Sequence, residues 1–403
     1  MKIDQQVEIL MQGTEYGDET LKQAMADELR QRLIEAEKED RKLRVYAGYD
    51  PTSTDLHLGH TITMRKLRQF QEFGHHVIFL IGNYTSLVGD PSDKDKLRPI
   101  LSPEQVLANA ETYAEQAFQI LEAEKTEVLY NADWLSKITF KDLIHLASNF
   151  TVQQFINRDN FKKRWEKGDP VYLHETFYAI MQAYDAYAMK ADVQVGGSDQ
   201  LFNIITAGRK LMGALGEKPN IGIIMGILPG TDGEIRMSKS LGNHIPINTS
   251  AEDMFGKVMS IPDTAMQVYA RLATRWLPEK VAEFVKGISD NSVHPRDAKM
   301  ELGLEIAEIF HGEDGAKAAK QAFINVFQKG DVPDEMPEFA LVEGQSVLDV
   351  LSESGLVKSR GEGRRMIQQN GVRLDGETLS DPNASFPHAG VLQVGKRRFL
   401  QVK

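Results

Sequence analysis

The sequence predicts an α/β fold on a parallel sheet, then a helical stretch and a small α+β module, and three observations carry this. The apolar runs LRVYAGYD (43–50) and HHVIFLIG (75–82) flank LHLGHTITMRKLRQFQEFG (56–74), whose apolar residues recur at helical spacing. Strand, helix and strand with short connections suggest a parallel unit. Strand character then returns in ADVQVGG (191–197) and IGIIMG (221–226) after a long helical block, and the last sixty or so residues alternate short helices with short strands.

In chain order, residues 19–40 combine helix formers, an apolar stripe and many charges, which predicts a surface helix. A strand at 43–50, a PTSTD turn and the 56–74 helix, closed by a Gly cap, follow. The next strand runs into the Gly/Asp/Pro loop VGDPS. From about 100 to 190 helical patterns dominate, opening on Ser102-Pro103, and this block is expected to interrupt the sheet rather than extend it. RMSKS (236–240) falls in the loop after the last strand of the sheet. Residues 251–328 read as helices, and KGDVPDEMPEF (329–339) as a linker. The tail offers helices in VLDVLSESG and GEGRRMIQQNG and strands in GVRLDG, GVLQVG and RRFLQVK. The expected division is therefore 1–245, with an insertion at about 100–190, then 246–330, a linker at 331–342 and a module at 343–403.

Composition narrows the function classes. At 41% hydrophobic and 26% charged residues the chain reads as ordered and soluble, and the absence of Cys excludes disulfides, cysteine nucleophiles and thiolate metal sites. The ten His form no metal-binding run. The acidic start lacks a signal-peptide layout and no apolar run is long enough to span a bilayer, so the expected location is cytoplasmic. The net charge of −11 disfavours indiscriminate nucleic-acid binding, yet residues 343–403 carry nine Lys or Arg against seven Asp or Glu, a small local excess of the opposite sign.

Two motifs carry chemistry. His57 and His60 stand i, i+3 at a helix start, where rings can share a face, backbone N–H groups favour anions, and Gly59 leaves the approach open. Imidazoles there can donate to phosphate oxygens as charge grows on them. Arg236 and Lys239 bring a fork and a point cation to a loop with Met237 and Ser238. Alone, the first motif also fits two surface histidines and the second any solvated loop; one after an early strand and one after a late strand make a far less accidental pair.

Together they resemble the two nucleotide-binding signatures of class I aminoacyl-tRNA synthetases. The resemblance implies a Rossmann-like catalytic domain in which an amino-acid carboxylate attacks the α-phosphate of ATP, pyrophosphate leaves, and the aminoacyl group passes to a tRNA end. Leu58 stands where the family usually has Ile, and Arg236 where Lys is commonest; neither removes a donor. The substrate must come from elsewhere in the chain. Tyr178, Gln182 and Asp185 occupy i, i+4 and i+7, a polar stripe on a predicted helix, with Tyr46 at a strand end and Asp90 in a loop able to join them.

These residues resemble the bacterial tyrosyl-tRNA synthetase family. The resemblance implies that Tyr46 and Asp185 hold the substrate phenol, and that Asp90, Tyr178 and Gln182 hold its ammonium. It also places Gly196 and Asp199 of GGSDQ at the ribose and Gln200 near the tyrosine carboxyl region. Asp50, Thr52, Lys94 and Arg98 correspond to positions around the adenylate and phosphates, and Gly48 and Gly59 to backbone approached by the nucleotide. Ala47 stands where several relatives have Cys beside the ribose. Mg²⁺ is expected to arrive with ATP, with no protein metal site. The tail SRGEGRRMIQQNGVRLDG (359–376) resembles the S4 RNA-binding domain, implying phosphate contacts from Lys358, Arg360, Arg364, Arg365 and the run Lys396, Arg397, Arg398. By the same resemblance 246–330 is the anticodon-side domain and the insertion a homodimer interface. The partners implied are tRNA(Tyr), L-tyrosine and ATP. Competing readings are a tryptophan-specific relative, another nucleotidyltransferase, or an RNA-binding protein with an inactive α/β body.

Overall fold

The computed structural model describes residues 1–51, 55–92, 103–325, 336–342, 344–395 and 398–403. They form two compact units, 1–312 and 313–403.

The first unit opens with helices α1 (Ile3–Met11) and α2 (Glu19–Lys38), then strand β1 (Arg44–Tyr49), α3 (Leu58–Glu72), β2 (His76–Ile81), α4 (Pro103–Ala117) and β3 (Thr126–Tyr130). After a helical block come β4 (Val193–Gly197) and β5 (Ile221–Met225), giving one parallel sheet in the order β3-β2-β1-β4-β5. Every residue of β5 and all but the first of β2 are buried, as a parallel sheet covered on both faces requires. Asp18 caps α2 by accepting from the Thr20 N–H at 2.7 Å, and the helix buries Met25, Leu29, Leu33 and Ala36. Buried Lys66 of α3 donates to the carbonyls of Ile9 (3.0 Å) and Gln12 (3.2 Å), which ties α1 to the sheet layer.

One expectation needs correcting. The stretch expected to interrupt the sheet supplies its edge strand, β3, and only then turns helical through α5 (Ala132–Leu135), α6 (Phe140–Ala147), α7 (Val152–Ile156), α8 (Asp159–Lys167) and α9 (Leu173–Ala188). All five residues of β3 are half-buried, so no continuous apolar run marks them. After β4 the chain makes a π-helical turn, Phe202–Gly208, into α10 (Arg209–Ala214). Helices α11 (Ala251–Met259), α12 (Met266–Leu272), α13 (Pro278–Ser289) and α14 (Pro295–Ile324) follow, the part of α14 beyond Gly312 belonging to the second unit. Their residues Met254, Val258, Ala270, Val281 and Leu302 belong to the same core as the sheet. Helix α14 breaks at Gly312, whose φ of 71° suits a residue without Cβ.

The second unit is a five-stranded sheet, β6 (Glu338–Phe339), β10 (Arg398–Val402), β9 (Gly390–Val394), β7 (Val372–Leu374) and β8 (Glu377–Thr378) in that spatial order, with α15 (Val347–Glu353) and α16 (Arg360–Gln368). Val347, Leu351, Ile367, Leu392 and Leu400 build its core. The expected linker thus contributes a strand: β6 pairs with β10 in parallel.

Candidate active site

Between β1 and β4 the strand order reverses, which opens a crevice beyond their carboxyl ends. The crevice is a cavity of about 260 Å³ that takes Tyr46 to Asp50 from β1 and its exit, His57, Gly59 and His60 from the start of α3, Gly196, Gly197, Asp199 and Gln200 from the end of β4 and the turn after it, and Arg236 with Met237 from the last loop. Tyr178, Gln182 and Asp185 of α9 and Asp90 line the same space, so the two motifs and the polar stripe meet.

The inner end is built around Asp185. Its oxygens accept from Trp134 Nε1 at 2.7 Å and Asn131 Nδ2 at 3.2 Å. Burial nevertheless pushes its carboxyl up to about 8. Tyr46 is fully buried and its hydroxyl has no hydrogen-bond partner among the described residues; the same is true of Gln182 Oε1. A hydroxyl and an amide oxygen in that condition await a polar ligand or cost stability. Desolvation, then the nearby Asp185, holds the Tyr46 phenol well above its usual range.

The middle of the cavity holds carboxylates, each fixed by its own hydrogen bonds. Asp90 accepts from Gln200 Nε2 at 2.5 Å and from the Ser92 N–H at 2.9 Å, while buried Arg158 reaches within 3.7 Å of it. Tyr178 donates its hydroxyl to Asp50 at 2.9 Å, and Thr85 donates to the other Asp50 oxygen at 2.7 Å. Tyr178 is therefore committed to Asp50 here, although the resemblance assigns it to the ammonium alongside Asp90. Gly82 is needed because a Cβ there would sit 2.1 Å from Asp50 Oδ1. Burial, reinforced by Asp90, raises the Asp199 carboxyl. Gly196 proves necessary for packing, since a Cβ would lie 2.6 Å from Ile204 Cδ1, whereas at Gly48 the nearest atom would be 3.7 Å away and the backbone stays approachable.

At the outer end, His57 Nδ1 accepts from the Gly59 N–H and His60 Nδ1 from the His57 N–H, each at 3.2 Å, and the rings lie 3.8 Å apart. A backbone N–H can only donate, so each ring keeps its proton on Nε2 and is a neutral donor. Desolvation, then His60, holds His57 down to about 2, so it stays neutral throughout the physiological range. The first motif is joined through the backbone to the segment that follows the second, because the Leu58 N–H donates to Ile245 O at 2.9 Å. Arg236 approaches Asp199 at 4.0 Å, and Lys239 pairs with Asp55 at 2.8 Å. Thr52, Lys94 and Arg98 lie outside the described residues.

Asn131, Trp134, Thr85 and Arg158 are site residues that sequence reasoning misses. The Asn-Ala-Asp-Trp turn after β3 offers only a strand exit as a signal, and β3 itself lacks the pattern of a strand. In the second unit Lys358, Arg360, Arg364 and Arg365 are exposed at the start of α16, with Arg360 paired to Asp349 at 2.8 Å. Arg398 is a correction: it donates to Leu356 O at 2.5 Å and to Glu362 Oε1 at 2.9 Å, so it braces the unit instead of standing ready for phosphate. Lys396 and Arg397 lie outside the described residues.

Comparisons with known proteins identify the family. Residues 38–328 match the family model of class I tRNA synthetases (W and Y), and residues 347–384 match that of the S4 domain. The chain is 45% identical over 372 residues, 92% of each chain, to the tyrosine–tRNA ligase of Thermotoga maritima. It is 45% identical over 407 residues to that of Oleidesulfovibrio alaskensis, covering 100% of this chain and 99% of the relative. Among solved structures, a C-terminally truncated mitochondrial tyrosyl-tRNA synthetase from Aspergillus nidulans aligns with a TM-score of 0.61 at 23% identity, over 81% of this chain and 94% of that one. The Archaeoglobus fulgidus enzyme complexed with L-tyrosine aligns at 0.58 and 20% identity, over 79% and 100%. These last two show a shared fold.

Proposed function

The chain belongs to the bacterial-type tyrosine–tRNA ligases of class I, and on that premise we infer how its residues divide the reaction. It activates L-tyrosine with ATP to tyrosyl-adenylate and pyrophosphate, then transfers tyrosine to tRNA(Tyr). The observation that carries the assignment of the inner pocket is the pairing of Tyr46, whose buried hydroxyl lacks a partner among the described residues, with Asp185, buried and already fixed by two donors. A substrate phenol can donate to Asp185 and accept from Tyr46, whereas phenylalanine would leave both as they are and forgo those two hydrogen bonds.

The tyrosine ammonium then faces Asp90, held in place by Gln200 and Arg158, with Gln182 and Tyr178 beside it. Its carboxylate, ionised at neutral pH, needs no general base to attack the α-phosphate. Catalysis is positioning plus charge stabilisation: the Nε2–H groups of His57 and His60 and the cations of the last loop meet phosphate oxygens as pyrophosphate departs. This donor set suits phosphate oxygens rather than a cation, so we place Mg²⁺ on the nucleotide, where it would damp repulsion among the phosphates. The exposed arginines of α16 are assigned to tRNA phosphates, which position an RNA without reading its bases.

We assign the homodimer contact to the insertion. Phe140 (77% exposed), Ile144 (58%), Val152 (73%), Trp165 (63%) and Leu173 (74%) crowd the stretch from α6 to the start of α9, an apolar load that a monomer would leave in water. A cytoplasmic site of action goes with the cysteine-free composition, and no helix among the described residues is long and apolar enough to cross a membrane. The test of the activity is tyrosine-dependent exchange of labelled pyrophosphate into ATP, followed by charging of tRNA(Tyr). Exchange with tryptophan instead would favour the other branch of the matched family.

A further inference from the structure

The loop that carries Arg236 and Lys239 is not one flexible unit. Its first half is a hairpin: the Gly230 N–H donates to Ile235 O at 2.7 Å and the Met237 N–H to Leu228 O at 3.1 Å. Asp232 closes the turn, one oxygen accepting from the N–H groups of Glu234 and Ile235 at 2.9 Å each. Across from it lies Asn243, 6% exposed. Asn243 Oδ1 accepts from the Ser238 N–H at 2.8 Å, and Nδ2 donates to the second Asp232 oxygen at 2.6 Å. The other Nδ2 hydrogen is shared by the carbonyls of Ile235 (3.3 Å) and Arg236 (3.2 Å). The Asn243 carbonyl accepts from the Thr231 N–H at 2.8 Å, and a Cβ on Gly230 would lie 2.3 Å from Asn243 Cγ.

One buried amide therefore gathers the turn, the backbone on both sides of Arg236 and the entry to the tip. Between Ser238 and Asn243 the chain makes a short 3₁₀ turn, Lys239–Leu241, and leaves it through Gly242 in the left-handed region at φ 68°. Leu241 there is 58% exposed, and Lys239 points to Asp55.

We propose that Asn243 is a positioning residue for adenylate formation, clamping the base of the signature loop so that Arg236 keeps its aim into the cavity. The proposal rests on the reading of this loop as the phosphate-facing one. A displacement of about 1 Å at a charge-stabilising group can cost about 10²-fold in rate, which sets the scale of the loss expected without the clamp.

The geometry supplies a swap test. In Asn243→Asp the carboxylate still accepts from Ser238 but faces the Asp232 carboxylate and can no longer donate to the two carbonyls. Adding Asp232→Asn keeps the oxygen that caps the turn and turns the facing oxygen into a donor, so the pair is restored with its polarity reversed. Pyrophosphate exchange and equilibrium binding of tyrosine are measured for the full chain, for Asn243→Ala, for Asn243→Asp and for the double variant. The expected result is a kcat for exchange lowered about 10²-fold in both single variants with tyrosine affinity unchanged, and recovery of at least tenfold in the double variant. Wild-type kcat in folded Asn243→Ala, an equal loss of tyrosine affinity, or a double variant no better than Asn243→Asp would overturn the clamp. An unaltered chain that fails to exchange with tyrosine would instead overturn the function proposed above.

Discussion

Replacing Tyr46 by Phe has two consequences of opposite sign. In the free protein the Tyr46 hydroxyl is buried with no partner among the described residues. A buried hydroxyl left that way costs about 1–3 kcal/mol, so deleting it, with the ring and its packing kept, should stabilise the free chain or leave it unchanged. With tyrosine bound the same hydroxyl gains the substrate phenol as partner, so its loss forfeits both that bond, about 0.5–1.5 kcal/mol, and the relief of the unpaired group, about 1–3 kcal/mol, an affinity loss of about 10-fold or more. Phenylalanine leaves the hydroxyl as it found it, so its weak binding should not change, and discrimination should fall by the same factor as tyrosine affinity. Thermal unfolding and equilibrium binding of both amino acids measure the three quantities separately. A Tyr46→Phe variant that is destabilised, or that binds tyrosine as tightly as before, would refute the reasoning, because the hydroxyl would then have a partner in the free chain or none in the complex.

Asp185 gives a pH signature. Its carboxyl, at about 8 in the fold against an ordinary 3.8, holds a proton in the folded chain that the unfolded chain releases, so its contribution to stability is full below 3.8 and is lost as pH rises through about 8. Denaturant titrations of Asp185→Asn should show this fall removed, with tyrosine binding weakened. Asp55→Asn releases Lys239 from a pair that is part-exposed and so worth at most about 1 kcal/mol; KM for ATP should fall by no more than about fivefold, with tyrosine binding untouched. Phe140→Asp should halve the solution mass measured by light scattering if the insertion is the dimer contact. Replacing Arg364 and Arg365 together by Glu should weaken tRNA charging most at low salt, flatten its salt dependence, and leave pyrophosphate exchange alone.

Much of the fold and of the site is legible in the residues themselves. The sheet strands β1, β2, β4 and β5 announce themselves because each is buried among apolar neighbours, and α3 because its apolar residues keep helical spacing. His57 with His60, and the Gly196 to Gln200 segment, are contiguous motifs whose chemistry travels with their local structure. What stays hidden depends on contacts made far along the chain. Half-buried β3 lacks an apolar run, and with it go Asn131 and Trp134, whose function is to hold a carboxylate some fifty positions later. Two-residue β6 is a strand only because β10 pairs with it. Arg398 reads as one more cation in a basic run, and only the fold brings Glu362 to it at 2.9 Å. Asn243 sits beside the signature with nothing local to mark it as part of it, since its partners are loop backbone atoms and Asp232.

The most direct test of the central claim, that the cavity at the β1/β4 crevice activates tyrosine through a phenol-reading pocket, is pyrophosphate–ATP exchange without tRNA, run with tyrosine, phenylalanine and tryptophan in parallel. Exchange that depends on tyrosine and is negligible with the other two is the expected result. Comparable exchange with phenylalanine would contradict the roles given to Tyr46 and Asp185, and no exchange with any of the three, from protein shown to be folded, would contradict the account as a whole.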